Sequence, residues 1–135
     1  MFDELNKILL EDSSENSWYD EGCIYAEELL GKFTDNDWKK LITTLKSKNN
    51  KYKIRLAYCI DEDTSMNGFN LLLGLLDEDD EVAECVIDSL RSFDKEPYKK
   101  LIISDTTITD KAESLLKNAS LPVKRVLEVF LKQNK

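Results

Sequence analysis

A chain of 135 residues, 41% hydrophobic and 34% charged, carries enough large apolar side chains to fold as one domain spanning residues 1–135, which excludes general disorder and any need for disulfides or a structural metal. It contains no histidine, which removes His-based triads, the commonest general acid/base and the commonest metal ligand together. A net charge of −8 disfavours nucleic acid and anionic membrane as partners and favours basic proteins.

In chain order, the opening MFDELNKILLED lacks the basic start and cleavage pattern of a signal peptide, and no apolar run approaches the roughly 20 residues of a membrane span. A cytoplasmic location is the expectation. Phe2, Leu5 and Leu9 define the apolar face of a first helix. Trp18 and Tyr19 stand in the acidic, serine-rich stretch Glu11 to Glu21, where they either cap the first structural unit or anchor an interface. Ser17 with Asp20 resembles a capping box ahead of Ala26, Leu29 and Leu30, and Gly31 closes that helix. Asp35, Asn36 and Asp37 are candidate N-caps for a helix carrying Trp38, Leu41, Ile42 and Leu45. Ala57 and Ile60 mark the next, which Asp61, Glu62 and Asp63 are expected to end, against its dipole.

Phe69, Leu72, Leu73 and Leu76 follow, then Ala83, Val86 and Ile87 behind a stretch in which six of the eight residues from Asp77 to Glu84 are acidic. Pro97 precedes Tyr98, Leu101 and Ile102, and Ala112 with Leu115 and Leu116 comes next. Pro122 opens a last helix with Val123, Val126, Leu127, Phe130 and Leu131. All of these spacings are helical, so the predicted class is all-α. Cys23, Cys59 and Cys85 lie in apolar stretches without zinc or redox spacing and are expected to be buried thiols.

The helices repeat. Trp38-x-x-Leu41-Ile42 returns as Phe69-x-x-Leu72-Leu73 and Tyr98-x-x-Leu101-Ile102, at offsets of 31 and 29 residues, and Phe2-x-x-Leu5 opens the chain in the same way. Each aromatic is followed after 14 to 24 residues by Ala26, Ala57, Ala83 or Ala112. The unit is two helices, A then B, with alanine on B where helices approach closely. Trp38, Leu41, Leu72, Val86 and Leu115 are therefore expected in the core, and the recurring aromatics are core fillers rather than a base-stacking platform.

The segment Leu75-Leu76-Asp77-Glu78-Asp79-Asp80-Glu81-Val82-Ala83 resembles the A-to-B turn of the HEAT repeat family, and Ile54-Arg55 keeps the arginine common in that family where Ala83 does not. The resemblance implies a HEAT-like α-solenoid of about four antiparallel helix pairs plus a closing C-terminal helix, with the B helices along a concave surface.

Charge is distributed unevenly: −7 over residues 1–45, +5 over 46–60, −10 over 61–96 and +4 over 97–135. A calcium loop is excluded in the acidic middle because Val82 stands where the turn needs glycine. Reading the residue after each aligned alanine gives a row, Glu27, Tyr58, Glu84 and Glu113, which joins Asp61, Glu62, Asp63, Asp79, Asp80 and Asp88 as the candidate partner-binding set. These residues are either a docking surface for a basic partner or simply the solvated face of charged helices. No glycine-rich phosphate loop, nucleophile motif or isolated carboxylate pair is present, so no enzyme activity, metal or cofactor is expected.

In size, acidity and repeat type the chain resembles the immunity proteins of bacterial contact-dependent growth inhibition and polymorphic toxin systems. That resemblance implies a cytoplasmic inhibitor in a 1:1 complex with a basic toxin domain, most plausibly a nuclease such as an RNase, whose substrate surface an acidic face would cover. The alternative is a general HEAT-type adaptor or scaffold for protein–protein assembly.

Overall fold

The computed structural model describes residues 1–12 and 14–134. About 77% of the chain is helical, and no strand occurs among the described residues. The helices are α1 (Phe2–Leu10), α2, α3 (Asp35–Leu45), α4 (Asn50–Cys59), α5 (Ser65–Gly74), α6 (Asp80–Leu90), α7 (Tyr98–Ser104), α8 (Thr106–Leu116) and α9 (Leu121–Gln133). Helix α2 runs unbroken through Glu15–Ser17, a π turn at Trp18–Gly22, and Cys23–Gly31. None of them is long and apolar enough to cross a membrane.

The expected apolar stripes account for the core. Leu5, Leu9, Trp38, Leu41, Leu72, Val86 and Leu115 are buried, and Ala26, Ala57, Ala83 and Ala112 are all fully enclosed in one contiguous cluster. Alanine recurs there because helices α2, α4, α6 and α8 lie against one another in succession, and a larger side chain would hold their backbones apart. Helix α9 folds against both α6 and α8, burying Leu127 and Phe130. The fourth aromatic opening departs from the others. Leu101, the counterpart of Leu41 and Leu72, is 41% exposed, and Ile102 is buried instead. Helix α7 is thus turned by about one residue, and its half-buried Tyr98 packs edge-on against Phe93 and tilted against Phe69, with ring centroids 5.0 and 5.2 Å away.

Several helix boundaries differ from those expected. Thr34 caps α3 in a reciprocal capping box with Asp37, so Asp35, Asn36 and Asp37 lie inside the first turn. Ser14 caps the start of α2 by accepting from the Ser17 amide, which puts Ser17 and Asp20 inside the helix. Asp61 does not burden the end of α4. That helix stops at Cys59, and the Asp61 carboxylate accepts from the Asp63 amide to start the short 3-10 turn Glu62–Thr64 before α5. Asp79 occupies the N-cap position of α6, but its carboxylate accepts from Asn50 Nδ2 at 2.7 Å on α4 instead. Gly68 on α5 is required by close approach, because a Cβ there would overlap Thr64 Oγ1 and crowd Ile60.

Arg55 holds α4 to the end of α1. It is buried, donates from Nη1 to the carbonyls of Glu11 at 2.8 Å and Leu9 at 3.3 Å, and lies 4.8 Å over the Trp18 ring. The Leu9 carbonyl lies in the last turn of α1, where the helix dipole also favours a cation, and the Glu11 carbonyl follows just beyond the helix end. Lys53, equally buried on α4, is ion-paired to Glu78 in the loop before α6. Cys23 and Cys59 are buried as expected, but Cys85 is only half-buried, since it lies at the side of α6 that faces α2 rather than on the core stripe.

Candidate partner-binding face

The face of interest is built on α2, α4 and α6, and the π turn determines what α2 contributes. Counting back seven residues from the buried Ala26, a regular helix would direct Tyr19 into the core. The extra residue of the π turn moves the register back by one. Trp18, only 2% exposed, takes the core position, and Tyr19 is 42% exposed. Gly22 makes this possible, because a Cβ at that position would stand 2.6 Å from Trp18 Cε3. Tyr19 then meets Tyr58 of α4 edge-to-face, with ring centroids 4.8 Å apart and planes at 71°. Tyr58 remains 48% exposed, so the pair forms an aromatic patch on the surface rather than part of the core.

Carboxylates surround this patch. The Tyr58 hydroxyl is held above its usual range by burial first and then by Cys23, Glu27, Cys59 and Asp88. Glu27 is pushed up by partial burial and by the negative field of Asp61 and Asp63. Glu84 is pushed up by partial burial and by Asp80 and Glu81. Of the sequence-predicted residues, Glu27 and Asp88 therefore act on Tyr58, Asp61 and Asp63 act on Glu27, and Glu84 stands one turn before Asp88 on α6. Cys85, whose thiol burial pushes up to about 11, lies within the field of Asp88, Glu84 and Glu81.

Asp80, Glu62, Asp79 and Asp88 are engaged by other groups. Asp80 is 3.7 Å from Lys111 Nζ on α8, and Glu62 is 3.8 Å from Lys95 Nζ. Asp79 is held by Asn50, and Glu113 is exposed on α8 with no ion pair among the described residues. Asp88 pairs with Arg91 one turn along its own helix. Among the described residues Glu27 and Glu84 have no cationic partner. Reading one position per repeat leaves out Tyr19, which has no repeat equivalent and which the sequence offered, with Trp18, as either a cap or an interface anchor. That reading also leaves out Glu15 and Glu81, which flank a groove of about 500 Å³ between α2, α4 and α6.

A raised carboxyl pKa in the folded state means that the fold holds the proton more tightly than the unfolded chain does. Glu27 therefore opposes folding at neutral pH, and the penalty disappears as pH falls through its folded value towards the ordinary value of about 4.3. Glu27→Gln is expected to raise the melting temperature at pH 7 slightly, because Glu27 is largely exposed and solvent screens it, with the difference from the parent vanishing as pH falls to the ordinary carboxyl range. Differential scanning calorimetry at pH 7 and in that range measures it, and a destabilised variant at pH 7 would mean that Glu27 has a favourable partner.

Exposed rings held by helices thus stand beside carboxylates that have no cationic partner among the described residues. Among the described residues no group of three or more metal-binding side chains comes together. No protein-family model matches the chain, and no curated protein or solved structure is significantly similar to it.

Proposed function

We propose that this chain is a HEAT-like helical ribbon that works as an immunity protein, binding the basic domain of a nuclease toxin and neutralising it by covering its substrate-binding surface. The pairs would be α1/α2, α3/α4, α5/α6 and α7/α8, with α9 closing the stack. Support for this stacking comes from the succession of contacts from α2 to α4 to α6 to α8, and from α1 lying on α3. The observation that carries the functional reading is the exposed Tyr19–Tyr58 pair beside Glu27 and Glu84, two acids without a cationic partner among the described residues.

Keeping such acids together is unfavourable for the free protein, and a cation arriving from a partner removes the repulsion. A phosphate-cleaving toxin presents cations of this kind, because it must hold an anionic substrate. Aromatic rings within a charged surround supply the desolvated anchor that charge alone does not. The same carboxylates bind a cation only when ionised, so affinity is expected to fall as pH drops through their raised values.

Immunity genes lie directly downstream of the toxin they neutralise, which gives a direct test. The product of the adjacent upstream gene is expressed with and without this chain, and growth and complex formation are followed. Restored growth together with a 1:1 complex on size-exclusion chromatography is the expected result. Unchanged toxicity with no complex would remove the immunity reading, and a stable complex with a non-toxic neighbour would favour an adaptor.

A further inference from the structure

The groove between α2, α4 and α6 adds a more specific requirement on the partner. We infer that it seats a single arginine side chain of the basic partner, with the guanidinium against Tyr19 and between Glu15 on one wall and Glu81 and Glu84 on the other. The inference rests on the reading of this face as a surface for a basic protein.

The groove encloses about 500 Å³, more than one side chain needs and within the range of small-molecule sites. Glu81 and Glu84 stand one turn apart on α6, and Glu15 faces them from the first turn of α2. Two cations also line it, but they differ in kind. Arg55 is buried and already engaged by the Trp18 ring and the carbonyls of Leu9 and Glu11. Lys51 is an exposed cation at the rim. Three carboxylates thus face two cations, since the neutral ring and carbonyls around Arg55 leave its charge in place, and the lining keeps one excess negative charge, complementary to one more cation.

Ile54 and the half-buried Cys85 offer an apolar wall for the methylenes of a long side chain. Tyr19 is turned out of the core by the π turn and presents a ring to the charged head. Arginine fits better than lysine, because a planar guanidinium both stacks on a ring and donates two parallel hydrogen bonds to a carboxylate, whereas an ammonium is a compact, strongly hydrated point charge. The negative field that Asp80 and Glu81 exert on Glu84 is relieved by such an arrival.

The test uses the full chain labelled with 15N and three blocked tripeptides: Gly-Arg-Gly, Gly-Lys-Gly, and Gly-citrulline-Gly, in which the side chain keeps its shape and loses its charge. Saturable amide shifts at Tyr19, Glu84 and Cys85 are expected with arginine, about threefold weaker binding with lysine and none with citrulline. The double variant Glu81→Gln, Glu84→Gln should weaken the arginine peptide about fivefold or more while the rest of the spectrum is unchanged. Equal shifts from arginine and citrulline, or no shifts at all, would overturn the inference. So would arginine shifts confined to Glu27 and Asp61 to Asp63, although these would leave the acidic face standing as the docking surface. Failure of the whole-face reading registers separately, as absence of any complex in co-expression.

Discussion

Leu72→Ala should cost about 2–5 kcal/mol of stability, whereas Leu101→Ala, at the aligned position one repeat later, should cost less than about 0.5 kcal/mol. Leu72 is 0% exposed on α5, so truncating it removes several buried methyl and methylene groups and leaves a cavity that the flanking helices fill only in part. Leu101 is 41% exposed on α7, where Ile102 takes the core position and water replaces what the truncation removes. Urea denaturation followed by circular dichroism gives both values, with the slope checked to confirm that the transition stays two-state. Similar losses at the two sites would mean that α7 keeps the register of the earlier helices. A loss at Leu72 below about 0.5 kcal/mol would remove α5 from the core.

The second large effect concerns association with the proposed basic partner. Reversing Glu27 and Glu84 together to lysine should slow association about tenfold at low ionic strength and flatten its salt dependence, since the field of the whole face steers a cationic domain. These two sites are better choices than Asp79 or Asp80, because neither has a cationic partner among the described residues to be left facing a like charge. A lysine at Asp80, by contrast, would confront Lys111. The fold should survive both changes.

Tyr58→Ala should act differently and raise the dissociation rate, weakening binding by about 2 kcal/mol or more if the ring is covered in the complex. It also removes the edge-to-face partner of Tyr19, so Tyr58→Phe, which keeps the ring, separates loss of the aromatic from loss of the hydroxyl. Surface plasmon resonance at two salt concentrations, beside growth protection in cells expressing the toxin, distinguishes steering from anchoring. Unchanged rates in the charge-reversed and alanine variants would make the α2–α4–α6 face a solvated surface.

Sequence alone determined the secondary-structure class, the number of helices and most of the core. These depend on spacing: apolar residues at three- and four-residue intervals must share a helical face, and an alanine repeated in register marks where neighbouring helices touch. The acidic character of the middle of the chain was equally legible, because formal charge needs no coordinates. The helix starts were less so. Thr34 rather than Asp35 or Asp37 caps α3, and Asp61 starts a turn rather than ending a helix, since several adjacent residues are chemically able to cap and backbone geometry selects one.

Only the tertiary structure decided which acids and rings act together. Tyr19 reaches the surface because the π turn at Trp18–Gly22 adds a residue to α2, and periodicity cannot register an insertion that leaves the helix unbroken. Asp80 and Glu62 are paired with lysines distant in sequence, while Glu27 and Glu84 are left with acidic neighbours. Whether a carboxylate is neutralised or left available depends on distances of a few ångströms between helices, which packing determines and a linear count of charges does not contain.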